Sequence, residues 1–96
     1  MFIAKEIDIF KDFIFDNLGK EFSVKKDGND SVICKAFKKA KKEYYLIARF
    51  SKDGLYCWGY LANEKGEALV NGKGFSLESF LNLAKLEIDY IKGIKK

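Results

Sequence analysis

The chain has no histidine and no proline, and only two cysteines, one methionine and one tryptophan among its 96 residues. Without histidine it lacks the usual general base near neutral pH, the Ser-His and Cys-His nucleophile pairs, and the commonest zinc ligand. Cys34 and Cys57 stand far apart. Two such thiols are too few for a disulfide scaffold or an all-cysteine metal site, and Cys57 is expected to be a buried free thiol. No apolar run approaches the ~20 residues that a membrane-spanning helix needs. Glu6 and Asp8 interrupt the N-terminal stretch where a secretory leader would be wholly apolar, so a cytoplasmic location is expected. The glycines match neither the phosphate-loop nor the dinucleotide pattern. The acids beside turns, Asp27, Asp30, Glu43 and Asp53, have no spacing that demands a metal. The expectation is a protein that is not an enzyme and has no cofactor, no metal and no membrane segment.

With 48% apolar and 33% charged residues, the composition is that of an ordinary globular chain, and its length suits a single domain over residues 1–96. The formal charge of +4 is unevenly placed. Residues 21–60 carry nine basic against five acidic side chains, whereas residues 1–20 carry three against four. The densest block, Lys35 to Lys42, holds five lysines in eight residues with no acid. Such a block attracts polyanions, although a solvated loop has the same composition.

Apolar residues Ile7, Phe10, Ile14 and Leu18 recur at helical spacing, with Phe2, Ile9 and Phe13 as a second line, and predict a helix over 2–18 stopped by Gly19. Asp8, Asp12 and Asp16 form its wet face. Strands are expected at Phe22–Lys25 and Val32–Phe37 around the turn-rich 26–30 segment, and a short one at Ala68–Val70 after an Asn63–Gly66 turn. Ser76 opens the last helix as an N-cap. There Leu77, Phe80, Leu81, Ala84, Ile88 and Ile91 form one stripe, which Leu83, Leu86, Tyr90 and Ile94 widen to roughly 220°, more than one sheet contact needs. The surplus residues are expected to meet the first helix or a second copy of the chain, making Leu83, Leu86, Tyr90 and Ile94 the candidate dimer contact.

The most informative stretch is 44–62, two alternating aromatic and β-branched runs around a Lys52-Asp53-Gly54 turn. Side chains alternate across a strand, so the hairpin sorts into two faces. Tyr44, Leu46, Ala48 and Phe50 with Leu55, Cys57, Gly59 and Leu61 form a core face. Tyr45, Ile47 and Arg49 with Tyr56, Trp58 and Tyr60 form the other. A face of several tyrosines, a tryptophan and an arginine suits base stacking, or contact with another protein. A blander alternative is that the first helix covers it.

Residues 45–91 also carry a run that resembles the single-stranded-DNA-binding domain of the transcriptional positive-cofactor-four coactivators. The resemblance rests on Glu64-Lys-Gly66-Glu67, on Lys73-Gly74-Phe75-Ser76-Leu77 followed by Phe80 and Leu83, and on the corner Arg49-Phe50-Ser51-Lys52. It implies strands followed by a long helix, dimerisation through that helix, and DNA contact by Arg49, Phe50, Lys52 and Lys73.

The expected architecture is α+β: an N-terminal helix, two hairpins and a short strand in a mainly antiparallel sheet, and a C-terminal helix packed on one sheet face. The expected function is non-catalytic binding of single-stranded DNA or RNA. Tyr45, Tyr56, Trp58 and Tyr60 would stack bases; Arg49, Lys52, Lys38, Lys39, Lys41, Lys42 and Lys73 would meet phosphates. The alternative is a small protein-binding inhibitor or immunity module, such as a phage-type anti-defence protein acting on a host enzyme.

Overall fold

A computed structural model of the chain describes residues 2–51, 57–72 and 76–93. The described residues form two helices and a five-stranded sheet: α1 (Phe2–Asn17), β1 (Ser23–Asp27), β2 (Asp30–Lys39), β3 (Lys42–Phe50), β4 (Cys57–Ala62), β5 (Ala68–Asn71) and α2 (Leu77–Lys92). The strands lie in the order β1-β2-β3-β4-β5, each antiparallel to its neighbours in the chain. This is the α+β arrangement that the sequence predicts.

Turn chemistry sets the register. Asp27 faces Asp30 across the two-residue Gly28-Asn29 turn, where Gly28 adopts a φ of 65°. Lys39 faces Lys42 across Ala40-Lys41, whose φ angles of 54° and 68° place both residues in the left-handed region. A type I′ hairpin turn demands that conformation at both central positions, and here neither is glycine. The lysine block is thus not a lead-in loop: it forms the end of β2, a tight turn and the first residue of β3. Both strands of the first predicted hairpin, β1 and β2, run longer than predicted, because two-residue turns at 28–29 and 40–41 leave no loops beside them. Phe22 stays outside β1 and packs instead beside Phe15, ring centroids 5.9 Å apart.

The core lies on one side of the sheet. Ile33, Leu46, Ala48, Phe50 and Leu61 point from it into a cluster with Phe10 and Ile14 of α1 and Leu77, Phe80, Leu81, Ala84 and Ile88 of α2, all buried. Phe10 meets Phe50 edge-on at 5.7 Å and 63°. Helix α1 therefore packs on the core side of β3, which overturns the alternative that it covers the aromatic face. Helix α2 packs on β4 and β5 and against α1, and the Lys92 ammonium donates to the Asn17 carbonyl oxygen at the end of α1. Ser76 caps α2, its Oγ accepting from the Ser79 N–H at 3.1 Å, and Gly93 ends it with a φ of 82°. Asp8, Asp12 and Asp16 are exposed, as the wet face of α1. Ile9 of the second apolar line is also exposed.

Phe80 explains two glycines. The ladder aligns Ala48 with Gly59, and the Gly72 N–H donates to the Gly59 carbonyl at 2.8 Å, so small residues form a trench across three chain segments. The Phe80 ring fills it. A Cβ at Gly72 would lie 2.7 Å from Phe80 Cδ1, and one at Gly59 only 2.8 Å from both Phe80 Cε2 and the Ile47 carbonyl oxygen.

Candidate binding face of the sheet

The pairing register assembles the opposite face in rows. Val32, Arg49 and Trp58 form one row, Ser23, Cys34, Ile47, Tyr60 and Asn71 the next, and Ala36 with Tyr45 a third. Lys38 and Glu43 stand opposite each other in a fourth. Among the described residues no helix lies on this face, and Tyr45, Ile47, Arg49, Trp58 and Tyr60 are all half-buried in the manner of a one-sided sheet. Trp58 and Tyr60 touch, ring centroids 5.3 Å apart and inclined at 42°. The Trp58 indole N–H is directed at Asn71 Oδ1, 3.4 Å away, which ties the pair to β5.

Electrostatics divide the face into a neutralised end and a basic end. Arg49 Nη1 is 3.0 Å from Asp30 Oδ2 and its Nη2 is 2.5 Å from Asp27 Oδ2. The fork joins β3 to the β1–β2 turn, where two carboxylates would otherwise oppose each other. The hydrogen bond from Arg49, and then its charge, hold the Asp27 carboxyl below the ordinary carboxylate range. At the other end the Tyr45 hydroxyl donates to Glu43 Oε1 at 2.6 Å, and that bond pushes the phenol above its usual pKa. Cys34 lies mid-face with its thiol pushed up by burial, which makes it a poor nucleophile.

Of the residues predicted to meet nucleic acid, Tyr45, Arg49, Trp58, Tyr60 and Lys38 share this face. Lys39 and Lys42 belong to the opposite parity at the same hairpin end, and Lys41 sits in the turn. All four lysines of that tip are exposed, and among the described residues no ion pair involves them. Lys52, Tyr56 and Lys73 lie outside the described residues, as does Ile94 of the predicted dimer contact. Phe50, given a DNA-contacting role by the family resemblance, is buried against Phe10 on the core side and does not belong to this face. Arg49 departs from expectation in another way: both of its terminal nitrogens already donate to carboxylates. Sequence reasoning missed Asp27 and Asp30 as its partners. The signal was the Gly28-Asn29 turn, which puts Asp30 diagonally across from Arg49 once the register is fixed.

Among the described residues no cluster of three or more cysteine, aspartate or glutamate side chains is arranged to hold a metal ion, and no helix is long and apolar enough to cross a membrane. Comparison with protein-family models, with curated proteins and with solved structures finds no match to this chain.

Proposed function

We propose that this protein binds single-stranded nucleic acid without catalysis, in the cytoplasm. One observation carries the proposal: an aromatic sheet face, on which no helix lies among the described residues, runs into a hairpin tip of four exposed lysines that no described ion pair engages. Bases would stack on Tyr45, Tyr60 and Trp58, each contact worth ~1–3 kcal/mol, while Lys38, Lys39, Lys41 and Lys42 follow the backbone. The neutralised Arg49 end then contributes stacking surface rather than charge. The resemblance to the positive-cofactor-four coactivators belongs to the same proposal, supported by antiparallel strands leading into a Ser76-capped helix. So does a homodimer, supported by exposed apolar residues on α2.

A fluorescence titration of Trp58 with oligothymidylate at 50 and 200 mM salt tests the proposal. Four phosphates neutralised on a single strand give a log–log slope of about −3, so affinity falls by about fiftyfold between those conditions. An unchanged emission at low salt refutes it.

A protein partner is the alternative, and one observation favours it. Lys25, Lys38 and Arg49 on this face are balanced by Asp27, Asp30 and Glu43, and a balanced face around Tyr and Trp anchors resembles a protein interface. The double substitution Lys39→Glu and Lys41→Glu separates the two. It abolishes binding to nucleic acid, but changes only the association rate for a protein partner.

A further inference from the structure

The seam between the two helices carries the charge sign opposite to that of the chain as a whole. Helix α1 packs against α2, and beside the contact runs a groove of about 320 Å³. Its apolar lining is Ile9 and Phe13, one turn apart on α1, with Leu81 of α2. Its polar lining is Asp12 and Asp16, again one turn apart, with Glu78 and Asn82 of α2. Ile9 is 41% exposed and Phe13 half-buried, so the apolar floor is open to solvent. Among the described residues no basic side chain lines this groove, although the formal charge of the chain is +4.

The three carboxylates are exposed, and among the described residues no ion pair involves them. The basic side chains described on these helices are engaged elsewhere. Lys85, one turn beyond Leu81, holds the Asp89 carboxylate at 2.8 Å. The Lys92 ammonium donates to the Asn17 carbonyl oxygen, and Lys11 lies over the Phe22 ring, 5.8 Å from its centroid. Glu78 suits the first turn of α2, but the two aspartates bring their own helix no benefit. Asp12 stands four residues from both Asp8 and Asp16, a spacing at which like charges repel. Asp16 lies in the last turn of α1, at the negative end of the helix dipole, where no basic residue offsets it.

We propose that this groove receives a cationic, amphipathic helix of a protein partner. Charge complementarity selects the occupant, since three carboxylates without a lining cation repel a nucleic acid and attract lysine or arginine. Those side chains also have the apolar stems that Ile9, Phe13 and Leu81 would cover, with heads that reach the carboxylates. Carboxylates one turn apart, with Cβ atoms about 6 Å from each other, match cations one turn apart on a docked helix. Recognition of a helix in a groove reads anchors at this i, i+3 and i+4 spacing. The groove lies in the helix layer, on the far side of the sheet from Trp58 and Tyr60, so its occupancy does not depend on nucleic-acid binding.

Amide-resolved NMR of the full chain at 50 mM salt tests the docking, the probe being a twelve-residue helical peptide of Leu-Lys-Lys-Leu repeats. Saturable shifts should appear at Ile9, Asp12, Phe13, Asp16, Leu81 and Asn82. The same peptide with glutamate in place of lysine should leave those amides unmoved. The double substitution Asp12→Asn and Asp16→Asn should weaken binding about fivefold, and 200 mM salt should weaken it as well. The melting temperature of that variant should not fall, because its loss of charge relieves the repulsion along α1. Silent groove amides at 1 mM peptide, an equal response to the glutamate peptide, or unweakened binding by the double variant overturns the proposal. Shifts confined to Tyr45, Trp58 and Tyr60 also overturn it, and put the partner on the sheet face instead. Oligothymidylate that quenches Trp58 while the groove stays silent refutes the groove alone.

Discussion

Replacing Gly59 by alanine tests whether the trench under Phe80 is as closed as its distances imply. The added Cβ would sit 2.8 Å from the Ile47 carbonyl oxygen and 2.8 Å from Phe80 Cε2. Comfortable carbon contacts begin near ~3.5 Å, so both approaches are short by about 0.7 Å. The ring has some freedom, but the carbonyl belongs to the ladder that pairs β3 with β4 and yields only if the strands part. Forcing a methyl group into such a site costs about 1–3 kcal/mol, against which alanine regains about 0.4–1 kcal/mol by restricting the unfolded chain. The difference spans about 0–2.6 kcal/mol, and because the carbonyl cannot yield, a net destabilisation of about 1–2 kcal/mol is expected, which lowers the melting temperature of a domain this size by about 4–16 °C. Urea unfolding followed by Trp58 emission measures it, with an unchanged m-value showing that the native state remains compact. Trimming the ring with Phe80→Leu in the alanine background should recover part of the loss, a coupling of about 0.5 kcal/mol or more. If Gly59→Ala proves as stable as the wild type, the trench has room and the packing argument fails.

The Arg49 fork predicts a pH response. Asp27 is held below its ordinary pKa in the folded chain, so its contribution is present above the normal carboxylate range and disappears as the pH falls through the lowered value. Carboxyl titration by NMR should show Asp27 titrating below a free aspartate, and Arg49→Met should return it to the ordinary range. At the β2–β3 turn, Lys41→Gly relieves a left-handed residue and should stabilise the fold by about 1 kcal/mol. The same substitution removes a tip cation, so oligonucleotide affinity should fall while stability rises.

Element order and face assignment were legible because they depend on local pattern. Period-two alternation over 44–62 separated Leu46, Ala48, Phe50 and Leu61 from Tyr45, Ile47, Arg49, Trp58 and Tyr60, and the structure divides them the same way. The Ala40-Lys41 turn was illegible because it lacks the Asn or Gly that marks such turns. Its strands meet through Phe37 and Tyr44, a cross-strand pair whose rings stack at 5.4 Å two positions from the opposed Lys39 and Lys42. Gly59 and Gly72 carried no readable signal either, since their role exists only once Phe80 arrives from α2. The surplus apolar arc of α2 was readable, but Leu83, Leu86 and Tyr90 are left exposed in the single chain rather than covered by the first helix. In the candidate site, the aromatic residues of the outer face followed from alternation. The state of Arg49 did not, because it depends on a neighbouring hairpin's register.

The simple up-and-down order of the strands bears on how the chain reaches this state. Every ladder joins consecutive segments, so the sheet can zip hairpin by hairpin with little loop entropy to overcome, the circumstance in which β-rich domains fold quickly. Only α1 must wait. Its seat is made by Phe50 and by α2, both far along the chain from it, so this helix docks only after elements much later in the sequence have formed.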